Sequence, residues 1–233
     1  MSIQNRNVLE CPRCGTGLEG RLFESLNADR HPHFRELLVE RRLHRFQCMG
    51  CNQVIEVEKP LMYLDLGRRQ FLACVPASER RAARPHAEAL VAAFDRTVRG
   101  GPLRDQADEF LVRLTFGYEE LREKLVLDGC GLYDLAVEAL KAQLLAAEPW
   151  FQAEDVVTLS FDGLEPDGRL RFLPVWLAER RTALQHTVWA ERRLYDAVFS
   201  EHETLLDRVP GLASGPHVSL LRLAFLAEGA PAP

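Results

Sequence analysis

Two cysteine pairs near the front of the chain, Cys11-Pro12-Arg13-Cys14 and Cys48-Met49-Gly50-Cys51, constrain its folding more than any other feature. Each is a C-x-x-C hook, and two hooks offer four thiolates, the set that closes a tetrahedral zinc site with no position left for a substrate. The residue after a hook often needs positive φ, which Gly15 accepts without cost and Asn52 better than most residues. Arg13 sets a fixed positive charge beside a centre that four thiolates and one zinc leave negative. Cys11, Cys14, Cys48 and Cys51 are therefore the expected ligands, and Zn2+ the expected structural cofactor. Two other readings stay open. Cys-Pro-Arg-Cys alone has the spacing of a dithiol redox motif, against which the second, equally spaced pair argues. Iron also accepts four sulfurs in this geometry.

The spacer from Gly15 to Gln47 is longer than a compact ribbon needs, so something folds inside it. Over Pro32 to Leu43, Phe34, Leu37, Leu38 and Arg41 recur at helical intervals behind a proline that suits a first helical turn. Asn7 to Glu10, Leu18 to Leu26, and Val54 to Glu58 read as strands, and Ser25 to Asp29 as a turn. Leu61 to Asp65 and Gln70 to Val75 flank Leu66-Gly67-Arg68-Arg69 as a hairpin.

Cys11-Pro12-Arg13-Cys14-Gly15, Ser25-Leu26-Asn27-Ala28, Phe46-Gln47-Cys48-Met49-Gly50-Cys51 and Pro60-Leu61-Met62-Tyr63-Leu64-Asp65, in that order, resemble the bacterial CpXC family. The stretch Val112 to Leu125 is similar to a helical segment of its longer members. The resemblance implies a metal-binding ribbon without a known biochemical function. Where that family's second hook usually carries proline and then glycine, this chain has Met49 and Asn52; neither is a ligand.

The chain is long enough, at 233 residues with 47% hydrophobic, to bury one large core or two small ones. Residues 1 to 100 carry 16 Lys or Arg against 12 Asp or Glu, whereas residues 101 to 233 carry 13 against 22. The acidic part weakens a nucleic-acid reading of the whole, and the basic excess near the hooks keeps one open for the ribbon, through Arg13, Arg21, Arg41, Arg42 and Arg45. The Met1 to Asn5 start lacks the build of a signal peptide and no apolar run is long enough to span a bilayer, so a cytoplasmic protein without membrane contact is expected. Cys74 and Cys130 lack a C-x-x-C partner and read as small buried hydrophobes.

Pro76 to Pro85 marks a change of regime. Ala87 to Val98 follows as a helix with Leu90, Val91 and Phe94 on one face, and Gly100-Gly101-Pro102 ends it. Phe110 to Phe116 fits either a strand or the start of a helix. Helices are expected over Glu119 to Leu127 and Leu132 to Ala147, the second with Leu135, Ala139 and Leu140 toward a core. Glu119, Glu120 and Glu123 suit a solvated first turn, with Glu120 pairing with Lys124, better than an acid–base pair. His31 and His33 read as loop or cap residues, and His44, His86, His186, His202 and His217 show no catalytic spacing. Val156 to Phe161 and Arg169 to Leu173 form a hairpin through Pro166-Asp167-Gly168. Trp176, Trp189 and Tyr195 read as core aromatics beside a helix over Glu191 to Leu206, and Ala227 to Pro233 as a frayed tail. Phosphate-loop, dinucleotide, zinc-protease and serine-hydrolase signatures are missing from the sequence.

These readings define an α+β protein: an N-terminal four-cysteine zinc ribbon with an inserted helix, followed by a mixed helix and β-hairpin region. The expected domains are a ribbon over 1–76, a linker helix over 77–101 and an acidic α+β region over 102–233. The expected role is a non-enzymatic module that binds another protein and uses its metal for folding. Nucleic-acid binding is the alternative, and an enzyme with its site in the acidic region a third.

Overall fold

The computed structural model describes residues 2–147, 156–176, 186–201, 204 and 210–222. His202, the helix end expected at Leu206 and the tail expected from Ala227 lie outside these residues. The fold is mixed α+β, divided into a unit Met1–Arg122 and a unit Glu123–Pro233.

In the first unit, β1 (Ile3–Glu10) and β2 (Gly17–Asn27) form an antiparallel hairpin whose turn is the first hook. Leu18, Leu22 and Leu26 on alternate positions of β2 are buried, as period-two patterning requires. The strand runs through Ser25, Leu26 and Asn27, where a turn was expected, because these residues pair in parallel with β5 (Leu61–Asp65). The inserted helix is real but short: α1 (His33–Val39) buries Phe34 and Leu38 and ends before Arg41, whose φ is +55°. Next come β3 (Arg45–Gln47) and β4 (Val54–Glu56), a second hairpin with the second hook as its turn.

The expected hairpin of β5 and β6 (Gln70–Val75) forms, and β7 (Leu111–Phe116) joins β6 in parallel, giving a five-stranded sheet of order β1-β2-β5-β6-β7. Phe110 to Phe116 thus resolves to a strand. Within residues 77–101, α2 (Ala83–Phe94) and the π turn after it lay Leu90, Phe94 and Val98 on Phe71, Ala73, Leu114 and Phe116 of the sheet. Val91, expected in that contact, is exposed, and Val98 takes its place. A boundary at 76–101 therefore differs from the observed division, which falls inside α3 (Tyr118–Gly129).

The second unit centres on α4 (Asp134–Ala147), in which every residue from Asp134 to Lys141 is buried. Against it pack β8 (Val156–Leu164) and β9 (Leu170–Trp176), the expected hairpin, through Leu159, Phe161, Leu170 and Phe172. Gly168 turns that hairpin at φ +85°, a value glycine tolerates. A short third strand, β10 (Val188–Ala190), pairs with β9 where the sequence suggested only the approach to a helix. That helix, α5 (Arg192–Ser200), buries Tyr195 and Val198.

Candidate metal centre

The two hooks fold alike. Cys11 N–H donates to Thr16 C=O at 3.0 Å and Gly15 N–H to Cys11 C=O at 2.9 Å; Cys48 N–H donates to Gln53 C=O and Asn52 N–H to Cys48 C=O, both at 2.8 Å. Gly15 at φ +72° and Asn52 at +59° supply the left-handed residue that each turn needs. The two hairpin tips meet: a Cβ on Gly50 would lie 2.4 Å from Thr16 Oγ1 and 3.4 Å from Cys14 Sγ. Further back, a Cβ on Gly20 would lie 2.8 Å from Phe46 Cζ, so glycine lets the β3 ring approach the β2 backbone. Leu9, Leu18 and Ile55 cover the inner cysteines, Cys11 and Cys48, while Cys14 is exposed.

All four Sγ atoms lie within 4.8 Å of one another. The short separations join one hook to the other, Cys11 to Cys51 at 3.6 Å and Cys14 to Cys48 at 3.5 Å. A disulfide needs about 2.05 Å, whereas sulfurs at tetrahedral corners 2.3 Å from zinc stand about 3.8 Å apart. The donor set therefore suits one tetrahedral ion rather than disulfides, and the cluster can hold a metal. Neither His31 nor His33 belongs to it.

The thiols are unequal. The Thr16 hydroxyl, 3.2 Å from Cys14 Sγ, together with the Thr16 backbone, brings Cys14 down to about 6. Cys51 moves up to about 12: the Gln53 backbone favours its thiolate, but desolvation and the neighbouring sulfurs outweigh it. Four thiols this close cannot all ionise alone, so a cation that binds them must displace protons. Gly50 N–H points at Cys48 Sγ from 3.4 Å, one of the amide contacts that C-x-x-C turns provide. Thr16 and Gly50 carry no ligand atom, and their contact crosses 34 residues of sequence, so spacing did not single them out.

Of the five arginines suggested for nucleic acid, three face carboxylates: Arg41 with Glu119 at 2.8 Å, Arg42 with Glu40 at 2.9 Å and Arg45 with Glu56 at 3.2 Å. Arg13 and Arg21 are exposed on the first hairpin.

His44 has a structural role that its isolation in sequence concealed. Its Nε2 accepts from Phe23 N–H at 2.7 Å, which places the ring proton on Nδ1, 2.7 Å from the Tyr118 hydroxyl. That hydroxyl donates to Lys59 C=O and accepts from Lys59 N–H. Burial holds His44 neutral, lowering it to about 4. Cys74 is the inert thiol expected, raised by burial to about 12; Cys130 is only half-buried.

Of the glutamates of α3, Glu119 keeps the solvated face expected of it, whereas Glu120 and Glu123 do not. Glu119 binds Arg41; Glu120 forms a largely buried pair with Arg80 and accepts from Phe116 N–H at 2.8 Å. Glu123 is buried in the second unit, where it meets Lys141 at 2.6 Å and accepts from Phe161 N–H. Lys124 binds Asp134 at 3.0 Å rather than Glu120, because packing against α4 overrides the pairing along α3. A cleft of about 520 Å³ in this unit is lined by Gly131, Tyr133, Arg192, Tyr195, Asp196 and Phe199. Asp196 there is engaged by Arg192 at 2.9 Å, and the Tyr195 hydroxyl accepts from Tyr133 N–H. Among the described residues of the lining there is no histidine–carboxylate pair.

Fold and site together define an α+β protein with a four-cysteine cluster able to hold a metal. A family model described as CpXC protein matches residues 9–141, more than half of the chain. The chain belongs to the CpXC family. No curated protein and no solved structure matches it. No helix among the described residues is long and apolar enough to cross a membrane.

Proposed function

We propose that the chain is a metal-stapled interaction protein whose first unit is a zinc ribbon, two hairpins clamped tip to tip by one Zn2+ on Cys11, Cys14, Cys48 and Cys51. The observation that carries this reading is the convergence of four sulfurs from two equivalent turns at tetrahedral spacings. With four protein ligands the ion has no open position, so its contribution is to folding rather than to chemistry. Zinc is favoured over iron as a redox-inert ion suited to a closed sulfur site. Six unpaired cysteines suit a reducing compartment, the cytoplasm. The interaction role is supported by the closed site, which leaves the ion no chemistry to perform; Met49 and Val8 are 87% and 81% exposed on the two hairpins.

The test combines elemental analysis of the full chain, purified without added metal, with Cys11→Ser/Cys48→Ser. About one zinc per chain, lost in the variant together with folded structure in the first unit, is the expected result. Thiols that titrate freely or as disulfides in metal-free protein would establish the redox reading instead. Salt-dependent nucleic-acid binding that falls on charge reversal of Arg13 and Arg21 would assign the ribbon to that partner.

A further inference from the structure

β1 is an edge strand of the five-stranded sheet, eight residues long and exposed along most of its length. Its pairing with β2 continues into the Cys11 N–H to Thr16 C=O bond, which fixes the phase of the ladder. Main-chain groups of Asn5, Asn7 and Leu9 face β2, whereas those of Gln4, Arg6, Val8 and Glu10 face the open edge. The side chains of these four lie on the face away from buried Leu18 and Leu22.

Only some registers let an identical strand satisfy that edge. For an antiparallel copy, even-numbered residues must meet even-numbered residues, which leaves a small set. Centring on Arg6 sets Arg6 against Arg6, and centring on Glu10 sets Glu10 against Glu10. Centring on Asn7 places Arg6 against Val8, and centring on Leu9 places Val8 against Glu10. Centring on Val8 opposes Val8 to Val8 and Arg6 to Glu10 on both sides of the axis. Like charges directly opposed across strands are destabilising and opposite charges stabilising, so the two charges that guard the edge in the other registers favour this one. A second feature agrees with it. Arg6 stands directly across from Arg21 on β2, a like-charge pair to which Glu19, across from Val8 on the same face, is only a diagonal neighbour. The copy's Glu10 beside Arg6 would relieve it.

We propose that the free edge of β1 pairs antiparallel with the same edge of a second copy, about a two-fold axis at Val8, joining two five-stranded sheets into one of ten strands. The inference deepens the interaction reading above by naming the partner. It depends on the first hairpin being formed but not on which ion holds the hooks. The interface is narrow, made of main-chain hydrogen bonds, one apolar pair and two ion pairs, so the dimer is a concentration-dependent one.

The test is sedimentation velocity on the full chain over a concentration series, for wild type, Arg6→Glu, Glu10→Arg and the double reversal, with zinc content and melting temperature recorded for each. Wild type is expected to dimerise reversibly, each single reversal to raise the dissociation constant about tenfold, and the double reversal to restore it to within about threefold. Wild type that stays monomeric at sub-millimolar concentration overturns the proposal. So does a dimer indifferent to the single reversals, or one that the double reversal does not restore. Zinc-free protein that still shows the charge-swap pattern would retain the dimer while removing the zinc reading.

Discussion

Four sulfurs at two hairpin tips and five ionisable side chains along two helices are the polar centres of the two units, and they differ in what satisfies them. In the first unit the cysteines are brought together by turns into a cluster that could hold an ion from outside. In the second, Glu123 and Lys124 of α3 meet Asp134, Glu138 and Lys141, a single stripe of α4, and satisfy one another. Backbone groups complete the set: Leu220 N–H donates to Glu138, Phe161 N–H to Glu123, and Lys124 donates to Val218 C=O. All five side chains are at least nine-tenths buried, so the cluster is part of the core rather than a site open to substrate. Burial pushes Glu123 up while Lys141 opposes it; burial also acts against the charge on Lys141, but Glu123 and Glu138 outweigh that and raise it. On the proposed reading, one unit is conditional on a ligand and the other on internal charge balance.

The largest effect expected is metal removal. Cys11→Ser/Cys48→Ser, or a strong chelator, should abolish hydrogen-exchange protection over residues 3–56, since structural zinc contributes about 10 kcal/mol or more in small sulfur-ligated domains. Protection in α4 should persist. If both units lose protection together, the contrast drawn above fails.

Second in size is the buried charge. Lys141→Met removes the nearest cation of Glu123 and Glu138, leaving Lys124 at 3.9 Å from Glu138, and should destabilise the second unit by about 3 kcal/mol in denaturant unfolding. Glu123 already sits above its ordinary range, so in this variant it gains a proton on folding. Stability lost at neutral pH should therefore return as pH falls toward 5, and adding Glu123→Gln should recover part of it at all pH values. A variant whose stability does not respond to pH would show that the pair contributes little.

His44 offers a smaller effect that separates the units by pH. Its folded value, about 4, lies below the ordinary histidine value, so the unfolded chain binds the proton first. The stabilisation is complete above about 6.5 and declines as pH falls toward 4, by up to tenfold in the unfolding constant per pH unit. His44→Gln should flatten that slope in the first unit. Smallest is Gly50→Ala: its Cβ would press on Thr16 Oγ1, costing about 1–3 kcal/mol and weakening metal affinity, read by competition with a zinc indicator. Adding Thr16→Ala should return most of that loss.

The same contrast explains what could be read in advance. The hooks, Gly15 and Asn52 were legible because a turn is a local object and C-x-x-C states its geometry within a few residues. The α5 region and the β8–β9 hairpin were legible for similar reasons of period and turn chemistry. Glu120, Glu123 and Lys124 were misread because charges at helical spacing suit a solvated face equally well, and only Arg80, Asp134 and Lys141, distant along the chain, decide otherwise. The proline- and arginine-rich stretch from Pro76 to Pro85 does not announce that Leu90, Phe94 and Val98 beyond it pack on the sheet, a contact between residues distant along the chain. β10 spans only three residues and takes its definition from β9.

The central claim, that two hairpin tips share one closed sulfur site, is tested most directly by zinc-edge X-ray absorption on the full chain purified without added metal. The account predicts about one zinc per chain with four sulfur neighbours at about 2.3 Å and no nitrogen or oxygen in the first shell. A mixed coordination shell, or metal-free protein with Cys11, Cys14, Cys48 and Cys51 as free thiols or disulfides, would contradict it.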